Sequence, residues 1–397
     1  MPKLIYIIAG EPSGDILASR LMQALWKQHP DIRFVGVGGE TMQALGFKSM
    51  FPMADISVMG FWEVAPRLPL ILKRMKQVMA DLEALRPDLL ITVDSWGFVS
   101  SILKKVKKRK MNIPTLHYVA PQVWAWKKSR APKAAKLIDR LMTLWPYEPP
   151  YFEKYGLRCD FVGHPVVENT AQLPGDLPPF KKQYQIPEDC TLLCLLPGSR
   201  QSELKRLIPV FKEVVARLQA QIPNLFVAIP TVDATAGEVA QAFANMPTPH
   251  CIIRGQQNRY LAFRACRFAI AASGTVTLEL TAFAAPHIIA YRFSRLTNRM
   301  VKFFVTAKYA NLINILADHP VIPEFVLDNC QAGLIYAKAL ELMQDSGQAQ
   351  EQVRQAKQYF TQLKPRDLMP SDKAASVVLE MLHKNGNTIP VCNTPYP

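Results

Sequence analysis

Three side chains in the first quarter of the chain are of types that move protons. Glu11 and Ser13 lie in the segment AGEPSGD, where an apolar strand runs into a turn and a helix, and Asp94 ends the apolar segment DLLITVD. Transfer of a group to a hydroxyl needs a base within hydrogen-bonding reach, and a partly buried carboxylate suits that task. Asp94 is therefore the candidate base. Helix capping is the alternative role for such residues, because Ser and Asp often cap helices.

The segment LLPGSR (195–200) could hold a diphosphate. Its Pro-Gly pair forces a tight exit from a strand at Gly198, and Ser199 with the following helix start offers hydrogen-bond donors. Arg200 can grip a diphosphate through two parallel hydrogen bonds and neutralise its charge. The alternative is an arginine at the surface that pairs with Glu203.

The segment AASGTVTLEL (271–280) repeats this strand–turn–helix arrangement. Ser273, Gly274 and Thr275 form the turn, and their backbone N–H groups could cradle an anion at the helix start. Glu279 lies one turn further on and could meet a ribose hydroxyl, as an acidic residue does in dinucleotide-binding folds. Two such cradles in one half of the chain are more informative than either alone.

The sequence indicates neither a metal centre nor a disulfide framework. Its seven cysteines are scattered, odd in number and without a CxxC pair, and no other cluster of metal ligands occurs. Cys190 and Cys194 flank an apolar run and fit the role of small core residues. This cysteine usage is typical of a reducing compartment.

The candidate residues are positioned by alternating apolar strands and amphipathic helices. The predicted strands lie at 4–10, 33–39, 88–94, 113–120 and 158–165 in the first half, and at 190–199, 225–231, 251–255, 267–274 and 287–293 in the second. Continuous apolar interiors indicate parallel strands covered on both faces. The sequence therefore predicts an α/β protein with two Rossmann-like parallel-sheet domains that face a cleft. Ligands of such sheets bind beyond the carboxyl ends of the strands, where the candidate residues lie.

Proline-rich stretches interrupt this alternation between the two halves. They lie at 145–150 and 174–179, and we predict the linker at the second of them. The expected domains are 1–170 and 171–365. A C-terminal helix and tail over 366–397 should cross back to the first domain or to a partner subunit.

The net charge of +15 implies an anionic partner, such as nucleic acid, a phosphorylated substrate or an acidic membrane surface. Residues 95–138 are rich in Lys and Arg and contain no Asp or Glu. A solvated face of successive helices is the alternative explanation. Nucleic acid is disfavoured, because no binding module and no interleaving of aromatic and basic residues on strands is recognisable.

Two segments, one within 58–76 and one at 299–309, combine bulky apolar side chains with adjoining cations. This composition is typical of a membrane-interface segment, and core packing is the alternative. No stretch reaches the roughly 18 apolar residues that span a bilayer, and the N-terminus lacks a signal-peptide cleavage site. The interface candidates in the first segment are Phe61, Trp62, Leu70, Ile71, Lys73 and Arg74.

The motifs occur in an order that resembles the lipid-A-disaccharide synthase family. The likeness covers nearly the whole chain and includes AGEPSGD, VDSWGF, HYVAPQVWAW, FVGHP, LLPGSR, ASGTVTLE and NLINILA with VIPEF. The resemblance implies a metal-independent, inverting glycosyltransferase of the GT-B type, with no cofactor. It also implies the substrates UDP-2,3-diacylglucosamine and 2,3-diacylglucosamine 1-phosphate (lipid X), which yield UDP and a β-1,6-linked lipid A disaccharide 1-phosphate.

The resemblance also implies roles for single residues. Asp94 matches the family's base, Glu11 and Ser13 match its important N-terminal pair, and Arg200 and Asn314 match residues linked to nucleotide binding and activity. The range 273–279 matches the UDP-binding turn and helix. This chain departs from the family pattern Asp-x-x-Asp-Phe, since Gly97 stands where the second acid is common.

The family likeness further implies a peripheral protein on the cytoplasmic face of the inner membrane of a Gram-negative bacterium, and a possible homodimer. The first domain would then face the acceptor and an anionic membrane, and the second would bind the UDP-sugar. Three alternatives stay open on the same fold, namely a UDP-sugar epimerase, a peptidoglycan-type transferase and a divergent paralogue.

Overall fold

The computed structural model describes residues 2–57, 61–123, 128–171, 175–292 and 308–384. The chain divides into two compact units, Met1–Pro165 with Leu363–Pro397, and Val166–Gln362. The predicted boundaries at 170 and 365 differ from these divisions by five and three residues. The C-terminal segment belongs to the first unit, which is one of the two positions that the sequence left open.

The first unit contains a six-stranded parallel sheet in the order β2-β1-β3-β4-β5-β6. Its strands are β1 (Leu4–Ala9), β2 (Arg33–Val37), β3 (Leu89–Val93), β4 (Thr115–Tyr118), β5 (Arg140–Thr143) and β6 (Arg158–Phe161). Every residue of β3 is buried, as the continuous apolar run DLLITVD predicts for a strand covered on both faces. The helices that follow are α1 (Pro12–Gln28), α2 (Glu40–Gln43), α3 (Phe61–Leu85), α4 (Trp96–Lys108), α5 (Arg130–Leu137) and α6 (Pro149–Glu153).

The second unit contains another six-stranded parallel sheet, in the order β12-β11-β10-β7-β8-β9. Its strands are β7 (Thr191–Leu196), β8 (Leu225–Pro230), β9 (His250–Ile253), β10 (Phe268–Ala272), β11 (His287–Tyr291) and β12 (Glu324–Val326). Its helices are α7 (Val166–Asn169), α8 (Leu177–Gln183), α9 (Gln201–Gln219), α10 (Ala236–Phe243), α11 (Gln256–Ala265), α12 (Val276–Ala282), α13 (Leu312–Ala317), α14 (Ala332–Gln344) and α15 (Ser346–Phe360).

The linker predicted at 174–179 is wrong over its second half, because α8 begins at Leu177 after the N-cap residue Asp176. Pro178 and Pro179 lie in the first turn of this helix, where a missing backbone N–H costs no hydrogen bond. Prolines of this kind mark a helix start as well as a linker. The division between the units lies earlier, after Pro165.

The chain returns to the first unit in α16 (Pro370–Lys384), which packs against α1. A network of ion pairs holds this helix to the sheet. Glu380 accepts hydrogen bonds from Arg140 at 2.7 Å and from Arg158 at 2.9 Å. Arg140, which is 3% exposed, also binds Asp160 through two hydrogen bonds of 2.5 and 2.8 Å. The C-terminal helix is thus an integral part of the first unit.

None of the helices in the described ranges is both long enough and apolar enough to span a bilayer. The segment at 299–309, offered by the sequence as a second interface candidate, falls mostly outside the described residues.

Candidate active site

The order of strands reverses between β1 and β3 in the first sheet, and between β7 and β10 in the second. Loops leave neighbouring strands in opposite directions at such a switch point, which opens a crevice at the carboxyl ends where ligands bind. Glu11 and Ser13 follow β1, and Asp94 follows β3. Segments 198–200 and 273–275 follow β7 and β10 in the same way. The candidate residues that follow β1 and β3 therefore lie at the switch point of the first unit, and those that follow β7 and β10 lie at that of the second.

Asp94 is held by hydrogen bonds to both oxygens of its carboxylate and by one from its backbone amide. The hydroxyl of Ser13 donates to Asp94 Oδ2 at 3.2 Å, and the Ser95 amide donates to Asp94 Oδ1 at 2.8 Å. The Asp94 amide donates to the Tyr118 carbonyl of β4 at 2.9 Å. Ser13 and Asp94 are thus in contact, and Glu11 is the residue directly before α1.

The backbone around Asp94 is strained. Asp94 and Ser95 have φ values of 53° and 47°, which place two consecutive residues other than glycine in the left-handed region. Such residues persist only where the surroundings hold them, and they are concentrated at functional sites. Gly10 makes room for this turn, because a Cβ there would lie 2.6 Å from the Cβ of Ser95. Gly10, the first of the two glycines of AGEPSGD, is therefore a steric requirement of the Asp94 turn.

Asp15, the last residue of AGEPSGD, caps a neighbouring helix start rather than its own. Its buried carboxylate accepts hydrogen bonds from the Gly39 and Thr41 amides, both at 2.8 Å, and from the Thr41 hydroxyl at 2.6 Å. It therefore ties α1 to the start of α2. Spacing in the sequence does not reveal this role, because the partner lies more than twenty residues away.

In the LLPGSR segment, Glu203 occupies the backbone donors that we predicted for a phosphate. Glu203 Oε2 accepts from the amides of Ser199 at 3.0 Å and Arg200 at 3.3 Å, and Oε1 accepts from the Tyr291 hydroxyl at 3.2 Å. Gly198, with φ of 116°, permits this approach, since a Cβ there would lie 2.6 Å from Glu203 Oε2. The prediction that these amides cradle an anion is wrong for this structure, because a carboxylate of the chain already fills the turn.

Arg200 remains available at the surface of the second unit. Its side chain is 64% exposed and lies 3.4 Å from Glu203 Oε1, a distance typical of a weak, solvated ion pair. Both descriptions left open by the sequence therefore apply, since Arg200 pairs with Glu203 and still presents its guanidinium to solvent.

The turn after β10 is open. Gly274 and Thr275 are exposed, and their amides donate no hydrogen bond within the described ranges of the chain. The Ser273 hydroxyl donates to the Ala310 carbonyl at 3.1 Å, and the Thr277 hydroxyl donates to the Gly274 carbonyl at 2.9 Å. These contacts hold the turn while leaving its N–H groups free to meet an anion. Of the two predicted cradles, this is the one whose amides are open, and its binding of an anion stays a prediction.

Asn314 does not present its side chain to a ligand. It is fully buried, and its Oδ1 accepts from the amides of Val321 at 2.9 Å and Ile322 at 2.8 Å. Its Nδ2 donates to the Ile322 carbonyl and to Glu324 Oε1, both at 2.7 Å. All the hydrogen-bonding capacity of its side chain is used within the protein, so this side chain is not presented for the predicted contact with a nucleotide.

Glu324 extends this network to the Ser273 turn. Its carboxylate accepts from the amides of Ala310 and Asn311, both at 2.8 Å, and Ala310 in turn receives the Ser273 hydroxyl. The VIPEF segment contributes to the family resemblance, but its glutamate has no role that the sequence alone predicts. An acidic residue at the start of an otherwise apolar strand is the signal that could have identified it.

The predicted membrane-interface residues of α3 differ in their surroundings. Ile71 packs against the core of the first unit, and Leu70 is half-buried. Arg74 pairs with Asp55 at 2.7 Å, and its guanidinium lies 4.8 Å from the centre of the Phe51 ring. Ile71 therefore has a packing role, and Arg74 is paired within the protein. The prediction that Arg74 offers a free cation to a membrane surface is wrong.

Other side chains of α3 reach the surface. Leu68 and Leu72, four residues apart and hence on one face of the helix, are 47% and 46% exposed. Lys73 and Lys76 are exposed beside them. The side chains of the predicted Phe61 and Trp62 lie outside the described residues, and so does the segment 124–127 of HYVAPQVWAW.

Part of the basic stretch is neutralised by acids from outside it. Lys107 pairs with Asp139 at 2.6 Å, and Arg109 pairs with Glu83.

Within the described residues, no three His, Cys, Asp or Glu side chains are grouped so that they could hold a metal ion.

Solved structures share this fold at low sequence identity. A UDP-GlcNAc 2-epimerase from Neisseria meningitidis bound to UDP-GlcNAc aligns with a TM-score of 0.63 and 10% identity, over 97% of this chain and 100% of that one. A glycotransferase of kitacinnamycin aligns with a TM-score of 0.61 and 13% identity, over 96% and 99%. At these identities the likeness concerns the fold alone. It confirms the two Rossmann-like domains of the GT-B type that the sequence predicts.

Sequence comparison goes further. A family model described as "Lipid-A-disaccharide synthetase" matches residues 5–378. A lipid-A-disaccharide synthase from Paramagnetospirillum magneticum is 43% identical over 384 residues, which is 96% of this chain and 98% of the relative. The enzyme of the same name from Pseudomonas aeruginosa is 38% identical over 349 residues, 87% of this chain and 91% of the relative. The chain therefore belongs to the lipid-A-disaccharide synthase family, the glycosyltransferases of lipid A biosynthesis.

Proposed function

We propose that the chain transfers the sugar of UDP-2,3-diacylglucosamine to the 6-hydroxyl of 2,3-diacylglucosamine 1-phosphate. The products are the β-1,6-linked disaccharide 1-phosphate and UDP. The observation that carries this proposal is the match of nearly the whole chain to lipid-A-disaccharide synthases. The positions of Asp94 and the Ser273 turn at the switch points of their units support it.

In this mechanism Asp94 is the general base. It takes the proton of the acceptor's 6-hydroxyl while that oxygen forms a bond to C1 of the donor sugar, and the bond from C1 to the UDP oxygen breaks with inversion at C1. The hydrogen bonds of Ser13 and the Ser95 amide keep the carboxylate in one orientation. A base that is already oriented pays a small entropic cost to reach the reactive geometry.

The second unit would carry the nucleotide. Amides of Gly274 and Thr275 and the exposed guanidinium of Arg200 are the groups that we assign to the diphosphate. They would stabilise the negative charge that grows on the departing UDP, which is the contribution that often dominates such reactions. Because these groups supply that stabilisation, we propose that the reaction needs no metal ion.

A turnover assay with purified protein tests this proposal. We expect UDP and a lipid disaccharide 1-phosphate to appear in equal amounts when both acylated substrates are supplied, with a rate unchanged by EDTA. Donors without acyl chains should be poor substrates. Formation of a C2 epimer of the donor sugar without disaccharide would instead indicate the epimerase alternative, and a rate abolished by EDTA would contradict metal independence.

We further propose that α3 lies against an anionic membrane surface. The exposed pair Leu68 and Leu72 beside Lys73 and Lys76 supports this, because apolar side chains enter the interface while cations meet acidic headgroups. Such a surface would let the first unit reach acceptors that carry acyl chains. Residence on the cytoplasmic face of the inner membrane and assembly as a homodimer stay predictions.

Replacing both Leu68 and Leu72 with Gln should reduce the fraction of protein that floats with vesicles of acidic phospholipid by about tenfold. Neutral vesicles should bind the unchanged protein less well, because the cations then lose their partners. Leu334→Gln is a matched control, since Leu334 is also 47% exposed but lies on α14 of the second unit. Equal flotation of the double variant and the control would count against the α3 surface.

A further inference from the structure

The carboxylate of Glu279 is held on one side only. Its Oε1 accepts a hydrogen bond from Arg259 Nη2 at 2.9 Å and one from the Tyr260 hydroxyl at 3.3 Å. Both donors come from α11, while Glu279 lies in the first turn of α12 directly after the Ser273 turn. No residue in the described ranges donates to Oε2, and the side chain keeps 11% of its surface exposed. One carboxylate oxygen is thus fixed and the other is open.

The donors to Oε1 are themselves held in place. The guanidinium of Arg259 lies 5.4 Å from the centre of the Tyr260 ring, and its side chain is only 24% exposed. The Tyr260 hydroxyl also accepts a hydrogen bond from Gln256 at 2.7 Å. Because α11 supplies all three side chains, the orientation of the Glu279 carboxylate depends on this helix.

Arg259 also acts on the charge of Glu279. Burial raises the pKa of the Glu279 carboxyl, and the charge of Arg259 with its hydrogen bond opposes that rise. An ionised carboxylate only accepts hydrogen bonds, whereas a protonated one also donates. The ionised form is therefore the better acceptor for a ribose hydroxyl that donates to Oε2.

We propose that Arg259 is a positioning residue for nucleotide recognition, which fixes Glu279 Oε1 so that Oε2 accepts a hydrogen bond from a ribose hydroxyl of a nucleoside diphosphate. This inference rests on the proposed function, in which the second unit binds UDP. It adds a residue outside the recognised motifs, and it assigns discrimination between ribose and deoxyribose to the pair formed by Arg259 and Glu279.

The test compares the affinities of UDP, 2′-deoxy-UDP and 3′-deoxy-UDP by calorimetry. In the unchanged protein, loss of the contacted hydroxyl should weaken binding by about 10- to 100-fold, as for hydrogen bonds to charged groups. In Arg259→Met, UDP should bind more weakly and the deoxy penalty should shrink to about threefold or less, since a carboxylate that is no longer fixed gains less from the ribose hydroxyl. Arg259→Lys, which keeps the charge, should retain a larger part of the penalty.

Arg264→Met is the matched control on the same helix and should keep both the UDP affinity and the deoxy penalty. If Arg259→Met does not fold, Tyr260→Phe removes the other donor to Oε1 and should by itself reduce the penalty. A folded Arg259→Met or Tyr260→Phe variant with the full penalty would overturn the inference, and so would an unchanged protein that binds both deoxy analogues as well as UDP. Absence of UDP binding by the unchanged protein would instead contradict the proposed function.

Discussion

Asp94→Asn is expected to lower kcat by about 10²- to 10⁴-fold, the range for loss of a general base. The substitution keeps the size of the side chain and can keep the hydrogen bond from Ser13, but an amide cannot take up the proton of the acceptor hydroxyl. Affinity for UDP should not change, because the nucleotide is assigned to the second unit. The rate of UDP release with both lipid substrates measures kcat, and calorimetry measures the affinity.

Two further variants define this effect. Ser13→Ala should lower kcat by only about tenfold, since it removes one orienting hydrogen bond and leaves the base in place. Asp31→Asn, at an exposed aspartate of the same unit outside the site, should leave kcat unchanged. An Asp94→Asn protein that keeps more than about a tenth of the original kcat would exclude Asp94 as the base.

Thermal stability is expected to be highest near pH 7 and to fall on both sides. Burial lowers the pKa of His117 and His164 to about 3 and that of His287 to about 4, and it raises the pKa of Glu148 to about 8. Below about pH 6.5 the unfolded chain binds protons at these histidines while the folded chain does not, so stability falls toward acid. Glu148 acts in the opposite direction, because its folded form keeps a proton that the unfolded chain has released above about pH 4.5.

The three histidines outweigh the single glutamate on the acid side. Each unit of pKa difference corresponds to about 1.4 kcal/mol, so a net loss of several kcal/mol is expected between pH 6.5 and 4.5. Above pH 7 the histidines are neutral in both states, and the Glu148 contribution is lost progressively up to about pH 8. Melting temperatures measured by calorimetry from pH 4.5 to 8.5 would follow both slopes.

Single substitutions separate the two slopes. Glu148→Gln should flatten the alkaline side, because the amide oxygen can still accept from the Leu144 and Trp145 amides without a proton to lose. His164→Gln should reduce the acid slope, because it removes one of the three buried histidines. A melting temperature that stays constant from pH 6.5 to 4.5 would show that these histidines are protonated in the folded state.

Most of the fold can be predicted from the sequence because parallel strands covered on both faces are continuous apolar runs. The strands that sequence reasoning missed are β5 and β12. β5 begins with Arg140, whose charge is neutralised by Asp160 and Glu380 from distant parts of the chain. β12 has three residues and begins with Glu324. In both cases partners outside the strand make a polar residue acceptable in it, and the pattern of the strand itself does not contain that information.

The site was predictable in position but not in detail. Asp94 and the Ser273 turn follow strands that meet at a switch point. Their position in the fold could therefore be predicted without knowledge of the side chains around them. Local spacing could not show that Glu203 fills the LLPGSR turn, because a glutamate at that helix position fits a cap, an ion pair with Arg200 or a solvated surface equally well. Asn314 was misjudged for a similar reason, since its partners, Ile322 and Glu324 among them, come from a loop whose path the sequence does not reveal.

The ion pairs of Glu380 with Arg140 and Arg158 have a consequence for the folding of the protein during its own synthesis. The second unit is a continuous stretch of chain inserted between two parts of the first, and α16 is made after the whole of the second unit. While the ribosome is still translating, the nascent first unit lacks the helix that covers α1 and neutralises these arginines. The second unit can therefore complete its folding before α16 is made, whereas the first unit can be completed only after that helix has been synthesised.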